Sequence, residues 1–496
     1  MSHAQSRTKQ SLKPYWLALS GLSAVFLFGM LDNSILNIAL PTIGRELHTS
    51  ATGLQWITSA YSIVFGGLML AIGAISDRFG RRRVMLIGLA LLAAASLLTI
   101  FVRSTGELIV VRMFIGIAAS MTTPGTMALA FRLFDEDKLR IRAISVITAV
   151  GLVGLASGPV VGGLLLQAMP WQGLLLINVP IAILAFFGIL AGIAPDRPED
   201  LHRVPVDVLG AVLGTLTIIL VLASPTLFVA SGVKQFWPWF SVVSAIISAT
   251  AFVMHERHES HPLLDSGLIT QPLVSGGLAY KAATGLAIAG LGYIITLQLQ
   301  LDWGWSPALA SVAMLPQVTT LLLVGFFVER FVDRIGIHAA AWLGSLCVVA
   351  GMVIYATLGL HAYVWVALTL VLISAGLRVV GLVAGVNVMH GAPQNRTSIA
   401  AAMVDTTDEV TSAVSTAVVG TIIAALFVGD FTSGHWSTAQ HTQFEGAATL
   451  SVSILAVIAV ILILWAFRRT RMVVVAGRQG DANTESDLAG DGVESK

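Results

Sequence analysis

Residues 143–195 carry no Asp, Glu, Lys or Arg, and five more runs are equally bare: 47–76, 84–102, 208–233, 303–328 and 446–467. About 20 apolar residues cross a bilayer as a helix, so each run holds one span and 143–195 holds two. Inside hydrocarbon, backbone N–H and C=O groups must pair within the chain, which leaves helical bundles and closed barrels. A barrel needs alternating segments of about ten residues, and these runs do not alternate. The expected class is an all-α integral membrane protein. Composition agrees: of 496 residues 56% are hydrophobic and 11% charged, against about 25% charged in soluble domains. Mean hydropathy is +0.85.

Runs and breaks together predict 14 transmembrane helices, over 15–40, 53–75, 84–102, 107–131, 143–168, 172–194, 208–231, 237–255, 273–299, 306–328, 339–358, 363–390, 399–428 and 449–467. The N-terminus "MSHAQSRTKQSLK" is basic, but no small-residue cleavage site follows the apolar run, so the first helix is expected to be retained. A single cysteine, Cys347, excludes an intramolecular disulfide and reads as a small core residue. With the N-terminus cytoplasmic, Arg45, Arg103 and Lys234 are the basic residues outside. Arg112, Lys281 and Arg378 fall within spans, and the other 22 of 28 lie inside, as the positive-inside rule requires. Both termini are then cytoplasmic.

"SDRFGRRR" (76–83) leaves the second span and "VDRIGIHA" (332–339) leaves the tenth, eight spans later. The repeated D-R-x-G suggests two six-helix bundles, 15–194 and 273–467, with two inserted transmembrane helices between them over 208–255. Parallel halves around a midplane site are a transporter architecture. The segment 468–496, containing "GRQGDANTESDLAGDGVESK", is polar and Gly-rich and is expected to be a disordered cytoplasmic tail.

Four segments resemble the major facilitator superfamily, in its fourteen-helix drug/proton antiporter branch: "LDNSILNIALP" (31–41), "GAISDRFGRRR" (73–83), "RMFIGIAASMTTP" (112–124) and "GLVGLASGPVVGG" (151–163). "WQGLLLINVP" (171–180) and "HPLLDSGLI" (261–269) are supporting matches. The branch includes quaternary-ammonium and multidrug exporters, which often carry an acid in helix two. Here "WITSAY" (56–61) has Ser59 at that place, and Ile337 and His338 replace basic residues in the second-half loop. The first departure argues against dicationic substrates.

The resemblance implies roles for particular residues. Asp32 is implied to be a membrane-embedded carboxylate for proton or cation coupling. A buried carboxylate is costly unless paired, wetted or protonated, and a drug cation and a proton can compete for it; the plainer reading is an Asp bonded to hydroxyls such as Ser34. Arg112 falls on the branch's buried Arg, implicated in proton transfer, or is a packing Arg. Gly73, Asp77, Arg78, Gly80, Arg81, Arg82 and Arg83 resemble a gating loop, in which Asp77 engages a helix N-terminus or a nearby Arg, and they also suit a positive-inside anchor. Gly154, Gly158, Pro159, Gly162 and Gly163 resemble the antiporter motif. By physics alone they form a small-residue packing face, bent where Pro159 removes a backbone hydrogen bond.

"VDTTDEV" (404–410) is a second acidic island, with Asp405 three and four residues from Asp408 and Glu409 on one helical face. The branch often has a carboxylate near Asp405; the alternative is a wet cytoplasmic mouth. Arg378 lies about 18 Å deep and Glu409 about 15 Å, at 1.5 Å per residue, so Arg378 is expected to pair with Asp408 or Glu409 and leave Asp405 to titrate. A competing reading has Arg378 contact an anionic or zwitterionic substrate. Lys281 is expected to snorkel to the interface. Trp56, Tyr61 and Phe65 are candidates to line a cavity that includes Asp32 and Asp405.

"HERHESH" (255–261) is not H-E-x-x-H and is not expected to hold metal. There is no Walker loop, G-x-S-x-G or Cys-His cluster. The chain is therefore not expected to be an enzyme or to carry a cofactor, and a proton gradient is the expected energy source. The expected function is proton-coupled antiport of lipophilic, cationic drugs or toxic compounds out of a bacterial-type cytoplasm, by a monomer that binds no nucleic acid. Alternatives are export of a zwitterionic or anionic lipid or secondary metabolite, and proton-coupled import of a nutrient.

Overall fold

The computed structural model describes residues 15–134, 137–196, 207–231, 234–259, 266–392, 397–431 and 436–490, and among them there is no strand. Its α-helices are α1 (Trp16–Glu46), α2 (Ala51–Phe79), α3 (Arg81–Leu98), α4 (Thr105–Arg132), α5 (Asp137–Leu165), α6 (Trp171–Leu176), α7 (Asn178–Gly192), α8 (Val208–Ser231), α9 (Phe236–His258), α10 (Ser266–Thr270), α11 (Pro272–Leu297), α12 (Pro307–Ala313), α13 (Leu315–Ile335), α14 (Ile337–Ile354), α15 (Tyr363–Gly391), α16 (Thr397–Leu426) and α17 (Thr438–Gly490). Among the described residues, 11 helices are long and apolar enough to cross a membrane, or 12 with the bent α5 counted as one span. Helices α2 and α8 occupy the stretches expected for the second and seventh spans.

Local chemistry sets the boundaries. Ser104 accepts from the Glu107 N–H while Glu107 reaches back to the Ser104 N–H, a capping box that starts α4. Gly80 (φ +104°) and Gly336 (φ +85°) turn the chain at the α2–α3 and α13–α14 junctions, in a conformation open to glycine. The two D-R-x-G segments thus supply the same turn.

The bend expected at Pro159 is present. Within α5, Arg142–Leu155 and Ser157–Leu165 meet at 41°. Pro159 has no N–H to give the Leu155 carbonyl four residues back, and that carbonyl accepts from Ser34 Oγ on α1 at 3.0 Å. The glycine face makes this approach possible, since a Cβ on Gly158 would stand 2.6 Å from the Ser34 Cβ. Gly154 and Gly162 meet Leu27 and Ile38 of α1 in the same way, whereas Gly163 faces Ser311 of α12.

Helix α1 packs on α5 and α7, α2 on α4, and α3 on α4 and α7; later in the chain α11 packs on α15, α16 and α17, and α14 on α15. The two sets meet where α2 lies on α16 and α5 on α12. Several cross-contacts gather at the end where α1 finishes: Gln55 Nε2 donates to Ala417 O at 3.1 Å and Thr421 Oγ1 at 3.3 Å, and Gln300 Nε2 to Ile38 O at 2.9 Å. That end is sealed.

Helix α8 leans on both α2 and α16, anchored by Thr215 Oγ1 donating to Gly67 O at 2.6 Å. Helix α9 docks on α8 through hydroxyls, Thr217 to Ser248 at 3.0 Å and Ser224 with Ser241 at 2.9 Å. Small polar contacts of this kind hold helices together where lipid offers no hydrophobic drive. The outer face of α9 presents Phe236, Trp237, Trp239, Phe240, Ile246 and Ile247.

Helix α17 runs on past 467, the predicted end of the last span, to Gly490. No proline interrupts 468–490, and an existing span end removes the nucleation cost of further turns. Residues 491–496 lie outside the described residues.

Candidate substrate and coupling site

Helices α1, α4 and α7 bring three polar side chains to one buried point. Asp32 accepts from Arg112 Nη1 at 2.5 Å through one carboxylate oxygen and from Asn178 Nδ2 at 2.7 Å through the other. Both members of the ion pair have fully buried side chains. Buried pairs survive only with good geometry and further hydrogen bonds, and Asn178 supplies one. The Arg112 guanidinium also lies over the Tyr61 ring, 4.6 Å from its centroid, a cation–π contact. Tyr61 in turn sits against Phe65, with ring centroids 5.5 Å apart. Ser34 is not the partner of Asp32, because its hydroxyl is engaged by the bend in α5.

The proposed aromatic lining is therefore corrected. Tyr61 is 0% and Phe65 3% exposed, so both underlie the ion pair instead of facing a cavity. Trp56 packs in an apolar cluster with Ile63, Leu222 and Ala413, at the seam of α2, α8 and α16.

The second acidic centre is on α16. Asp405, Asp408 and Glu409 are all partly buried. Asp408 Oδ2 is 2.6 Å from Lys281 Nζ on α11, which corrects two expectations: Lys281 does not snorkel away, and Arg378 is not the partner of Asp408. Arg378 lies instead against Gly325 of α13, its Nη2 2.5 Å from where a Cβ there would stand, and its Nε has no hydrogen-bond partner. Glu409 presses its Cβ on Gly66 of α2, 3.6 Å from a Cβ built there. It lies within the electrostatic field of Arg112. Glu409 Oε2 is buried without a hydrogen-bond partner. Thr406 Oγ1 approaches Met69 Sδ at 3.5 Å one turn away.

At the turn between α2 and α3 the anchoring carboxylate is Asp196, just beyond α7. Its Oδ2 accepts from the backbone N–H of Arg82 at 3.1 Å and of Arg83 at 3.3 Å. Its Oδ1 pairs with Arg132 at 2.9 Å. An anion at the N-terminus of α3 satisfies free N–H groups and the helix dipole. Arg82 also donates to Leu190 O at 2.8 Å. The side chain of Asp77 lies outside the described residues; Arg78 and Arg83 are exposed. His255 joins α9 to α8 through Asp207 at 2.7 Å, a pairing that its own local sequence does not announce.

Two of these residues and one pairing escaped the sequence reading. Asn178 carried a signal, as a lone amide in "LLLINVP". Asp196 and the Lys281–Asp408 pairing depend on how helices face one another, and no spacing rule reports that.

Over 326 residues the chain is 30% identical to the methyl viologen resistance protein SmvA of Salmonella typhimurium, covering 66% of each protein. It is 29% identical over 415 residues to the multidrug efflux pump LfrA of Mycolicibacterium smegmatis, covering 83% of this chain and 81% of that one. In fold it is similar to the crystal structure of a peptide transporter POT in complex with sulfate, with a TM-score of 0.66 at 13% identity, over 94% of this chain and 96% of that one. The family model described as Major Facilitator Superfamily matches residues 22–416. The chain belongs to the Major Facilitator Superfamily.

Proposed function

We propose that this chain exports lipophilic, cationic compounds across a bacterial-type cytoplasmic membrane in exchange for protons, as a 14-span monomer with both termini in the cytoplasm. The two separate acid centres carry this reading: Asp32 clamped by Arg112 and Asn178, and the Asp405–Asp408–Glu409 face of α16. Carboxylates at membrane depth suit cations and protons. The relatives' names, methyl viologen resistance and multidrug efflux, point the same way.

Repeated packing supports two six-helix halves. Helix α1 lies on α5 and α7 as α11 lies on α16 and α17, and α3 lies on α4 as α14 lies on α15. With the α1 exit end outside, the hydrogen bonds of Gln55 and Gln300 tie the halves together on the outer side, which favours exchange of the acid centres with the cytoplasm. Asp32 and Asp405 are the coupling residues. Arg112 and Asn178 engage both oxygens of Asp32 in this state, and the carboxylate is freed for a proton or a substrate cation when the pair separates. Each charge crossing is worth about 2.3 kcal/mol per 100 mV, so the drug-to-proton ratio decides how much of the drive is electrical. The unpartnered Nε of Arg378 favours a second reading, export of a zwitterionic or anionic metabolite.

Proteoliposome transport of tetraphenylphosphonium, driven by an imposed proton gradient, tests the proposal. Uptake against a gradient that collapses with an uncoupler is expected. Equal transport with and without the gradient contradicts proton coupling.

A further inference from the structure

The acidic face of α16 already has a resident cation. Lys281 and Asp408 meet at 2.6 Å with side chains 19% and 39% exposed, so the pair is neither sealed in the core nor fully in water. Close approach of the two helices makes it possible. Gly285 stands one turn beyond Lys281 on α11, and a Cβ there would lie 2.3 Å from Thr411 Oγ1 and 3.5 Å from Asp408 Oδ1. Asp405 and Glu409 also lie within the field of the Lys281 ammonium. Three carboxylates thus stand near one ammonium, and Asp408, the one it touches, keeps 39% of its side chain exposed.

We propose that Lys281 is a tethered cation that competes with substrate for the Asp408 carboxylate and thereby limits how many positive charges the site accepts. The inference rests on the reading of the chain as an exporter of cations. An incoming cation must displace an ammonium held at hydrogen-bond distance. The displaced ammonium stays on its four-carbon stem and meets the substrate as a like charge. A dication feels that repulsion on both charges, so Lys281 discriminates against dications more than monocations. Ser59, at the place where branch relatives often have an acid, adds no compensating charge on α2.

Binding of tetraphenylphosphonium and methyl viologen to the purified full chain, read by calorimetry, provides the test. Lys281→Met is expected to bind tetraphenylphosphonium about tenfold tighter than the parent chain, and to gain more for methyl viologen. Asp408→Asn is expected to weaken both, and Lys281→Met with Asp408→Asn to lose the gain. Lys281→Arg keeps the charge and the fold and offers a carboxylate a two-pronged grip, so it should bind tetraphenylphosphonium more weakly than the parent. A merely structural pair predicts the opposite pattern: Lys281→Met and Asp408→Asn weaken both ligands alike, and Lys281→Arg matches the parent. That pattern overturns the proposal while leaving the exporter reading intact. No binding of either cation by the parent chain overturns both.

Discussion

Asp32 and Asp408 are both carboxylates within membrane helices, each held by a basic side chain, yet they are built differently. The Asp32–Arg112 pair is dry, with both side chains fully buried and the second carboxylate oxygen taken by Asn178. The Lys281–Asp408 pair is partly wet and shares its ammonium's field with two further acids. A dry pair whose carboxylate is engaged at both oxygens is expensive to break from one side, so it suits a switch that changes with the conformation of the whole molecule. A wet pair short of positive charge exchanges partners easily, which suits a place where solutes bind.

Stability should expose this contrast most sharply. Arg112→Met leaves Asp32 buried without its cation and is expected to cost about 3–5 kcal/mol, whereas Lys281→Met should cost less than about 1 kcal/mol, as partly exposed pairs do. Denaturation of the two variants in the same detergent compares them directly, and equal losses would erase the distinction. Next in size is the loss of one coupled proton. At 100 mV it removes about 2.3 kcal/mol of drive, so Asp32→Asn should lower the limiting drug gradient in proteoliposomes about fiftyfold. An undiminished gradient would remove Asp32 from the coupling.

Salt offers a smaller test. Raising ionic strength from 0.01 to 1 M shortens the Debye length from about 30 Å to about 3 Å. It should soften the difference between the parent and Lys281→Met in cation affinity, and leave the stability loss of Arg112→Met unchanged. Smallest of all, Ser34→Ala removes the donor to the carbonyl that Pro159 leaves free. About 1 kcal/mol of stability is the expected cost, with Asp32 chemistry intact because Ser34 does not touch it. A change in coupling in Ser34→Ala would show that the bend and the ion pair are linked.

The all-helical apolar class was legible because bare runs in a chain with 11% charge admit little else. Asp32, Arg112 and the bend at Pro159 were legible because each sits within a motif whose chemistry is local. The partners were not. Depth along a helix placed Arg378 level with Glu409, and that arithmetic ignores which way each side chain faces; Arg378 turns to α13, and Lys281 reaches Asp408 from another helix. Asp196 lies outside the loop signature that it anchors, more than a hundred residues from Arg82 in sequence. Trp56 and Tyr61 looked like cavity residues because aromatics suit flat substrates, but position around the helix axis made one a seam filler and the other a floor for Arg112.

The most direct test of proton-coupled export through these acids is a proton count. Purified protein in weakly buffered detergent receives tetraphenylphosphonium, and released protons are measured for the parent chain, Asp32→Asn and Asp405→Asn. Release from the parent chain that falls in both variants is the predicted result. Binding without release in the parent chain, or release unchanged in both variants, would contradict the account.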